Sequence, residues 1–239
     1  MKDIPDKSID MILCDLPYGT TSCSWDTIIP FEPLWKQYGR IIKDNGAIVL
    51  TASQPFTSKL VMTNLKKFRH EIIWVKNRGS NIFNLKTNPM KEHESIIVFS
   101  NGIKTYNPQY QKRKESGASR VKHSFKNDGG GEAVGIIKKE GRHINKNKER
   151  HPSSIVYFNT EVGLHPTQKP LKLFEYLIKT YTNEGDTVLD NCLGSGTTLL
   201  ACRKTGRNGK GFEINPDYEP IIRKRIMADT KTLWQFGGE

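Results

Sequence analysis

The chain has 239 residues, with 37 Lys and Arg against 25 Asp and Glu, a net charge of +12 and 36% hydrophobic residues. Average domains run ~100–200 residues, so one α/β unit carrying an insertion fits this length as well as two domains do, and ten Phe and four Trp supply a core that excludes global disorder. No stretch approaches the ~18 apolar residues of a membrane span, and Met1-Lys2-Asp3-Ile4-Pro5 contains no signal-peptide core. The expectation is a soluble, intracellular, basic protein. Its four cysteines (Cys14, Cys23, Cys192, Cys202) form no C-x-x-C pair, which speaks against a disulfide framework or a zinc site.

In chain order, Ile9-Asp10-Met11-Ile12-Leu13-Cys14 is a short, nearly continuous apolar run that predicts a strand covered on both faces. Phe31, Leu34, Trp35, Tyr38, Ile41 and Ile42 recur at three-and-four spacing and predict a helix, stopped by Asp44-Asn45-Gly46. Ala47-Ile48-Val49-Leu50 is the next strand. Pro55 opens a helix through Leu65, and Glu71–Val75 and Ser95–Phe99 read as further strands.

Residues 101–160 hold 13 Lys and Arg against 5 Asp and Glu, so +8 of the +12 lies in a quarter of the chain. Such localised charge suits a polyanionic partner, and a solvated loop insertion explains it as well. Beyond it, Leu171, Phe174, Leu177, Ile178 and Tyr181 form an amphipathic helix, and Thr187-Val188-Leu189-Asp190 a strand. The turn Gly194-Ser195-Gly196-Thr197-Thr198, a helix through Cys202, the strand Gly211-Phe212-Glu213-Ile214 and a helix from Pro216 complete the series. Alternating strands and helices imply an α/β fold with a doubly wound, mostly parallel sheet. Ligands of such sheets sit at the carboxyl ends of the strands, where this chain places Asp15 and Asp190.

Strand, glycine turn, helix and strand ending in Glu213 outline a nucleoside-binding unit, the carboxylate accepting from ribose hydroxyls. Leu199 breaks the third glycine of a dinucleotide fingerprint, and no Lys follows the glycines as a phosphate loop requires. Asp190 is poorly placed beside a pyrophosphate and suits a cationic amino group. The turn Asp15-Leu16-Pro17-Tyr18 presents a carboxylate, a constrained carbonyl and an aromatic face together, a set that matches an exocyclic amino group on a flat ring.

At these residues the chain resembles a family. Asp15-Leu16-Pro17-Tyr18 resembles the D-P-P-Y motif of amino-group DNA methyltransferases. Val188-Leu189-Asp190-Asn191-Cys192-Leu193-Gly194-Ser195-Gly196-Thr197-Thr198 resembles their D-P-F-x-G-S-G-T-T cofactor motif. Leu164-His165-Pro166-Thr167-Gln168-Lys169-Pro170 is similar to the H-P-T-Q-K-P segment that precedes it, and the order of motifs is that of the permuted beta group. The resemblance implies a Rossmann-like methyltransferase fold in three parts: a catalytic half (1–100), a basic target-recognition insert (101–160) and a cofactor-binding half (161–239).

It implies S-adenosylmethionine as methyl donor, with no metal. Asp190, Gly194, Ser195, Gly196, Thr197 and Glu213 would bind the donor, and His165, Thr167 and Lys169 would lie near its carboxylate. Asp15, Leu16, Pro17 and Tyr18 would be catalytic, and Asp at the head of that motif points to adenine N6, where the cytosine-N4 branch usually carries Ser. Duplex DNA would be held by the 101–160 segment of a cytoplasmic, nucleoid-associated protein, with a homodimer and a cognate restriction endonuclease as further partners compatible with the family.

Three departures accompany the match. Leu16 replaces the first proline of the motif, which costs rigidity and keeps the carbonyl. Asn191-Cys192-Leu193 removes an aromatic that commonly packs on the cofactor. Relatives usually carry a further upstream strand with a Gly-Asp pair on the adenine ring, so an adenine pocket that is incomplete, or built from elsewhere, is expected. A catalytically weak nucleic-acid-binding relative is therefore the alternative alongside the cytosine-N4 enzyme. Of the remaining residues, His93 is expected at a loop or strand edge, Cys14 in buried strand packing, and Trp25 and Phe56 in the core or the base pocket.

Overall fold

The computed structural model describes residues 1–21, 23, 26–80, 85–102, 104–112, 149–161 and 168–234. They form two compact units, Met1–Asn107 with Ser153–Glu239, and Pro108–Pro152. The second unit lies inside the 101–160 segment delimited by charge. Within it, Gln111–Lys112 and Glu149–Arg150 pair antiparallel, and the Tyr110 and His151 rings lie 5.1 Å apart. Residues 153–160 belong to the first unit, because Ile155–Tyr157 pair with its sheet. Most of the basic residues of the insert, from position 113 to 148, lie outside the described residues.

The first unit is a seven-stranded sheet with helices on both faces. In chain order the elements of the protein are β1 (Ile9–Asp15), α1 (Phe31–Ile41), β2 (Ile42–Ala52), α2 (Phe56–Met62), β3 (Phe68–Ser80), β4 (Lys91–Ser100), β5 (Gln111–Lys112), β6 (Glu149–Arg150), β7 (Ile155–Tyr157), α3 (Leu171–Tyr181), β8 (Thr187–Asp190), α4 (Thr197–Lys204), β9 (Asn208–Gly211) and α5 (Tyr218–Trp234). The sheet order is β7-β3-β4-β2-β1-β8-β9. β1 runs parallel to both β2 and β8, and chain order diverges to either side of it. That divergence is the crevice where open α/β sheets take ligands. The α/β, mostly parallel sheet expected from the alternating pattern is present.

Alternation along β1 shows why its apolar run is almost unbroken. Ile12 and Cys14 pack on one face with Leu34, Tyr38, Ile41, Phe56 and Leu60 of α1 and α2. Met11 and Leu13 pack on the other with Leu173, Phe174, Leu177 and Ile178 of α3. Successive strand side chains point to opposite faces, so a strand covered twice must be apolar at both phases.

Several elements differ from the sequence pattern: α2 ends at Met62, short of Leu65, and β3 and β4 extend beyond Glu71–Val75 and Ser95–Phe99 at both ends. The first helix does not stop at Asp44-Asn45-Gly46; Ile42 already turns extended, its amide bonded to Tyr38 O, and opens β2. The pairs Ile9↔Ile42 and Met11↔Ala47 show that residues 43–46 bulge from the strand, which is why polar residues sit there. β4 is antiparallel to both of its neighbours, β2 and β3, and so interrupts the parallel pattern. The last strand ends at Gly211, not Ile214. β8 stops at Asp190, so after the bond from Phe212 N to Asp190 O the chain leaves the sheet.

Candidate active site

Asp15 closes β1 opposite Thr51 of β2, at the middle of the sheet's carboxyl edge. Its Oδ1 accepts from the Tyr18 hydroxyl at 2.8 Å and from Thr51 Oγ1, and its Oδ2 accepts from Lys169 Nζ at 2.6 Å. An ionised carboxylate offers about four lone-pair positions. Among the described residues three of those on Asp15 are filled, and one on Oδ2 stays open. Leu16 is buried, which with Pro17 stiffens the turn. Tyr18 is stacked on Phe56, ring centroids 5.2 Å apart. Burial, with the charges of Asp15 and Glu94, pushes the Tyr18 phenol well above its usual range, so it stays a protonated donor.

Lys169 also lies 3.6 Å from Glu94 Oε2, while Glu94 Oε1 pairs with Lys76 at 3.2 Å. The side chains of Lys76, Glu94 and Lys169 are 6%, 15% and 8% exposed, so four charges of alternating sign run inward from the strand ends. Burial alone would lower the Lys169 pKa; the carboxylates of Asp15 and Glu94 outweigh it and raise the value. Glu94 Oε2 is buried with no hydrogen-bond partner among the described residues.

The loop after Tyr18 is gathered by Asp26. Its carboxylate accepts from the amides of Gly19 (2.9 Å), Thr20 (2.9 Å) and Thr21 (2.7 Å) and from Thr21 Oγ1 (2.8 Å). Burial works against ionisation of Asp26, and these donors overcome it, leaving its pKa below the ordinary carboxylate value.

At the end of β8 the glycine turn is built differently. Gly194 and Gly196 adopt φ of 51° and 80°, left-handed angles that a side chain strains, and the second opens α4. Asp190 is buried; it accepts from Cys192 N at 3.0 Å and Thr198 Oγ1 at 2.5 Å. Desolvation raises its pKa to about 6 despite these donors. Glu213 accepts from Gly194 N at 2.6 Å and Asn215 N at 2.9 Å. Arg225 of α5 donates to Ser195 O (2.7 Å), Ser195 Oγ (2.8 Å) and Thr197 Oγ1 (3.1 Å), pinning the turn from outside. Beside Glu213 a cavity of about 490 Å³ is lined by Leu193, Ile214, Asn215, Pro216 and Ile222.

Residues 9–224 match the DNA methylase family, whose profile groups N6 and N4 enzymes. The chain belongs to the DNA methylase family. It is 28% identical to the type II methyltransferase M.HpaI of Haemophilus parainfluenzae over 96% of this chain and 71% of that protein. It is 26% identical to the type II methyltransferase M1.MboII of Moraxella bovis, over 91% and 89%. Among solved structures, the M1.HpyAVI–SAM complex aligns at TM-score 0.60 and 24% identity over 91% of this chain and 89% of that one. The cytosine-N4-specific PvuII DNA methyltransferase aligns at 0.61 and 15% over 94% and 81%. At these identities the structures speak for the shared fold.

In this methylase Asp15, Leu16, Pro17 and Tyr18 share one strand-end turn, and Asp190, Gly194, Ser195, Gly196, Thr197 and Glu213 gather at the neighbouring one. His165, Thr167 and Trp25 lie outside the described residues. Lys169, expected beside a donor's carboxylate, has its ammonium on Asp15. Gln168, next to it, accepts from Ser195 Oγ at 3.2 Å and is held by Glu161 at 3.3 Å, so adjacent residues touch the two turns. Cys14 is fully buried, and burial with Cys192 and Asp190 nearby drives its thiol pKa far up, which removes it as a nucleophile. Phe56 is buried in the core and backs Tyr18.

Sequence reading missed Thr51, Glu94, Asp26 and Arg225. Thr51 is a polar residue directly after an apolar strand run, which was a usable signal. Glu94 and Arg225 lie on elements whose pairing no local pattern reveals. No helix among the described residues is long and apolar enough to cross a membrane.

Proposed function

We propose that this DNA methylase moves a methyl group from S-adenosylmethionine to the N6 amino group of an adenine flipped out of duplex DNA. The observation that carries the reading is the Asp15 carboxylate with one open acceptor position, beside a glycine turn with its own buried acid. Asp at the head of the catalytic turn favours adenine over cytosine.

The residues at the second turn fit the donor. The cavity beside Glu213 joins apolar walls to a carboxylate, which suits a purine carried on a diol sugar. Asp190 would hold the cationic amino group, Glu213 the ribose, and Gly194, Ser195, Gly196 and Thr197 the backbone cradle, with His165 and Thr167 assigned from the family pattern. S-adenosylmethionine, when bound, supplies an electrophilic methyl on a sulfonium sulfur.

An adenine amino nitrogen is a poor nucleophile because its lone pair is delocalised into the ring. Asp15 Oδ2 and the Leu16 carbonyl would each accept one amino hydrogen, localising that lone pair and steadying the positive charge that grows on nitrogen. The new N–C bond forms as the methyl–sulfur bond breaks, and the sulfur leaves as a neutral thioether. The methylated nitrogen, now cationic and acidic, then loses its proton to solvent. The effect of Asp15 is therefore orientation and electrostatics, and no free general base is needed. A paired base cannot reach a strand-end pocket and must leave the duplex. Tyr18, backed by Phe56, would stack on it, worth ~1–3 kcal/mol against the unstacking cost. The basic 101–160 insert would hold phosphates, with a minority of its side chains reading bases.

Transfer of labelled methyl groups into duplex DNA tests this. Asp15→Ala should lower transfer by roughly 100- to 1,000-fold with donor binding intact. Full activity in that variant would overturn the mechanism. Neutralising the basic residues of 112–150 should weaken DNA binding and flatten its salt dependence, and an unchanged slope would free the insert of any DNA role.

A further inference from the structure

We propose that Lys169 is a positioning residue for the methyl-accepting side: its ammonium, shared between Asp15 and Glu94, sets the Asp15 carboxylate for the amino group. The proposal rests on Asp15 accepting amino hydrogens, as above, and gives Lys169 a role at the acceptor in place of the donor's carboxylate.

The geometry is uneven in a useful way. Nζ sits 2.6 Å from Asp15 Oδ2, a strong charge-assisted bond, and 3.6 Å from Glu94 Oε2, beyond hydrogen-bond reach. That Glu94 oxygen is buried and lacks a hydrogen-bond partner among the described residues. A buried acceptor without a donor is costly, so it is a standing second place for the ammonium. Lys76 holds the other oxygen and fixes the carboxylate, so any movement belongs to Lys169. Shifted toward Glu94, Lys169 would leave Oδ2 with more negative charge as the amino nitrogen becomes positive. Seated on Asp15, it would keep the carboxylate from being buried uncompensated when no base is present.

The groups facing Asp15 set the sign of each test. They are Tyr18 on its own turn, Thr51 on β2, Lys169, Glu94 on β4 with Lys76 of β3 behind it, and Asp190 at the end of β8. Removing the cation must make Asp15 easier to protonate, and removing the second carboxylate must make it harder. A structural lysine would move stability alone, and a lysine serving the donor would move donor affinity alone.

The experiment uses the full chain labelled with carboxyl-13C aspartate, the Asp15 resonance being assigned by its loss in Asp15→Asn. Lys169→Met should raise the Asp15 titration midpoint by about one unit or more, and Glu94→Gln should lower it. Calorimetric affinity for S-adenosylmethionine should stay within about twofold of wild type in both, while kcat falls. Lys169→Arg, which keeps the charge, should restore the midpoint and the fold if Lys169→Met is too unstable to titrate. The proposal is overturned if Lys169→Met leaves the Asp15 midpoint unmoved, or if Lys169→Met or Lys169→Arg weakens donor binding by about tenfold. An Asp15 midpoint indifferent to Glu94→Gln overturns it as well. Titration needs no turnover, so a wild-type chain that fails to methylate adenine would refute the adenine reading and leave these outcomes readable.

Discussion

At the end of β1, Asp15 is held by Thr51 and Lys169, side chains brought from distant parts of the chain, and only Tyr18 is local. At the end of β8, Asp190 and Glu213 are held mainly by backbone amides and a hydroxyl within the glycine turn and its flank. The first arrangement surrounds a carboxylate with three side-chain donors and, among the described residues, leaves one acceptor position open. The second raises the pKa of one buried acid toward neutrality and fixes a backbone cradle. Acceptor chemistry and donor binding are thus supported by different physics on one sheet edge, and they should respond differently to pH and to mutation.

The largest expected difference lies at Asp190. With its folded pKa raised to about 6 against an ordinary carboxylate value of ~3.9, the folded state keeps this proton to higher pH than the unfolded chain. Its contribution to stability is therefore present in full below the unfolded value and is lost as pH rises through about 6. That loss amounts to at most roughly 3 kcal/mol. Denaturant unfolding of the ligand-free protein across pH 4–7 (about three units) should show the decline, and Asp190→Asn should remove it. Donor affinity should run the other way, tightening as Asp190 ionises, with a loss of about tenfold or more in Asp190→Asn at neutral pH. A pH-independent affinity would erase the contrast between the two turns.

Smaller effects sharpen it on the acceptor side. Asp26→Ala strips the shared acceptor from the amides of Gly19, Thr20 and Thr21, and should cost about 2 kcal/mol of stability by chemical denaturation and lower kcat. Thr51→Val removes one donor to Asp15 and should cost about 1 kcal/mol, seen as a several-fold drop in kcat with donor affinity unchanged.

The contrast also explains what could be read from the sequence. The glycine turn was legible because its partners are near in sequence: Asp190, Gly194, Gly196 and Thr198 lie within one short segment, and Glu213 ends the next strand-and-turn. Asp15-Leu16-Pro17-Tyr18 was legible as a turn. Its electrostatic setting was not, because Lys169 stands 154 positions away and only the closing of the sheet brings them together. Glu94 was hidden for a related reason. It lies in an antiparallel strand, two residues outside a run of continuous apolar burial from Ile96 to Phe99, and nothing local marks it as facing Lys76. The start of β2 was misplaced because polar residues 43–46 look like a helix stop, whereas they bulge from a strand. Elements set by periodicity, such as α3 from Leu171 to Tyr181, were read at their true bounds, since one apolar stripe decides them.

The chemistry assigned to Asp15 is tested most directly by identifying the base that accepts the methyl group. Duplex DNA treated with the full chain and isotopically labelled S-adenosylmethionine can be digested to nucleosides and resolved by mass spectrometry. Label in N6-methyladenine, and its loss with Asp15→Ala, is the expected result. Label in N4-methylcytosine, or undiminished label with Asp15→Ala, would contradict it.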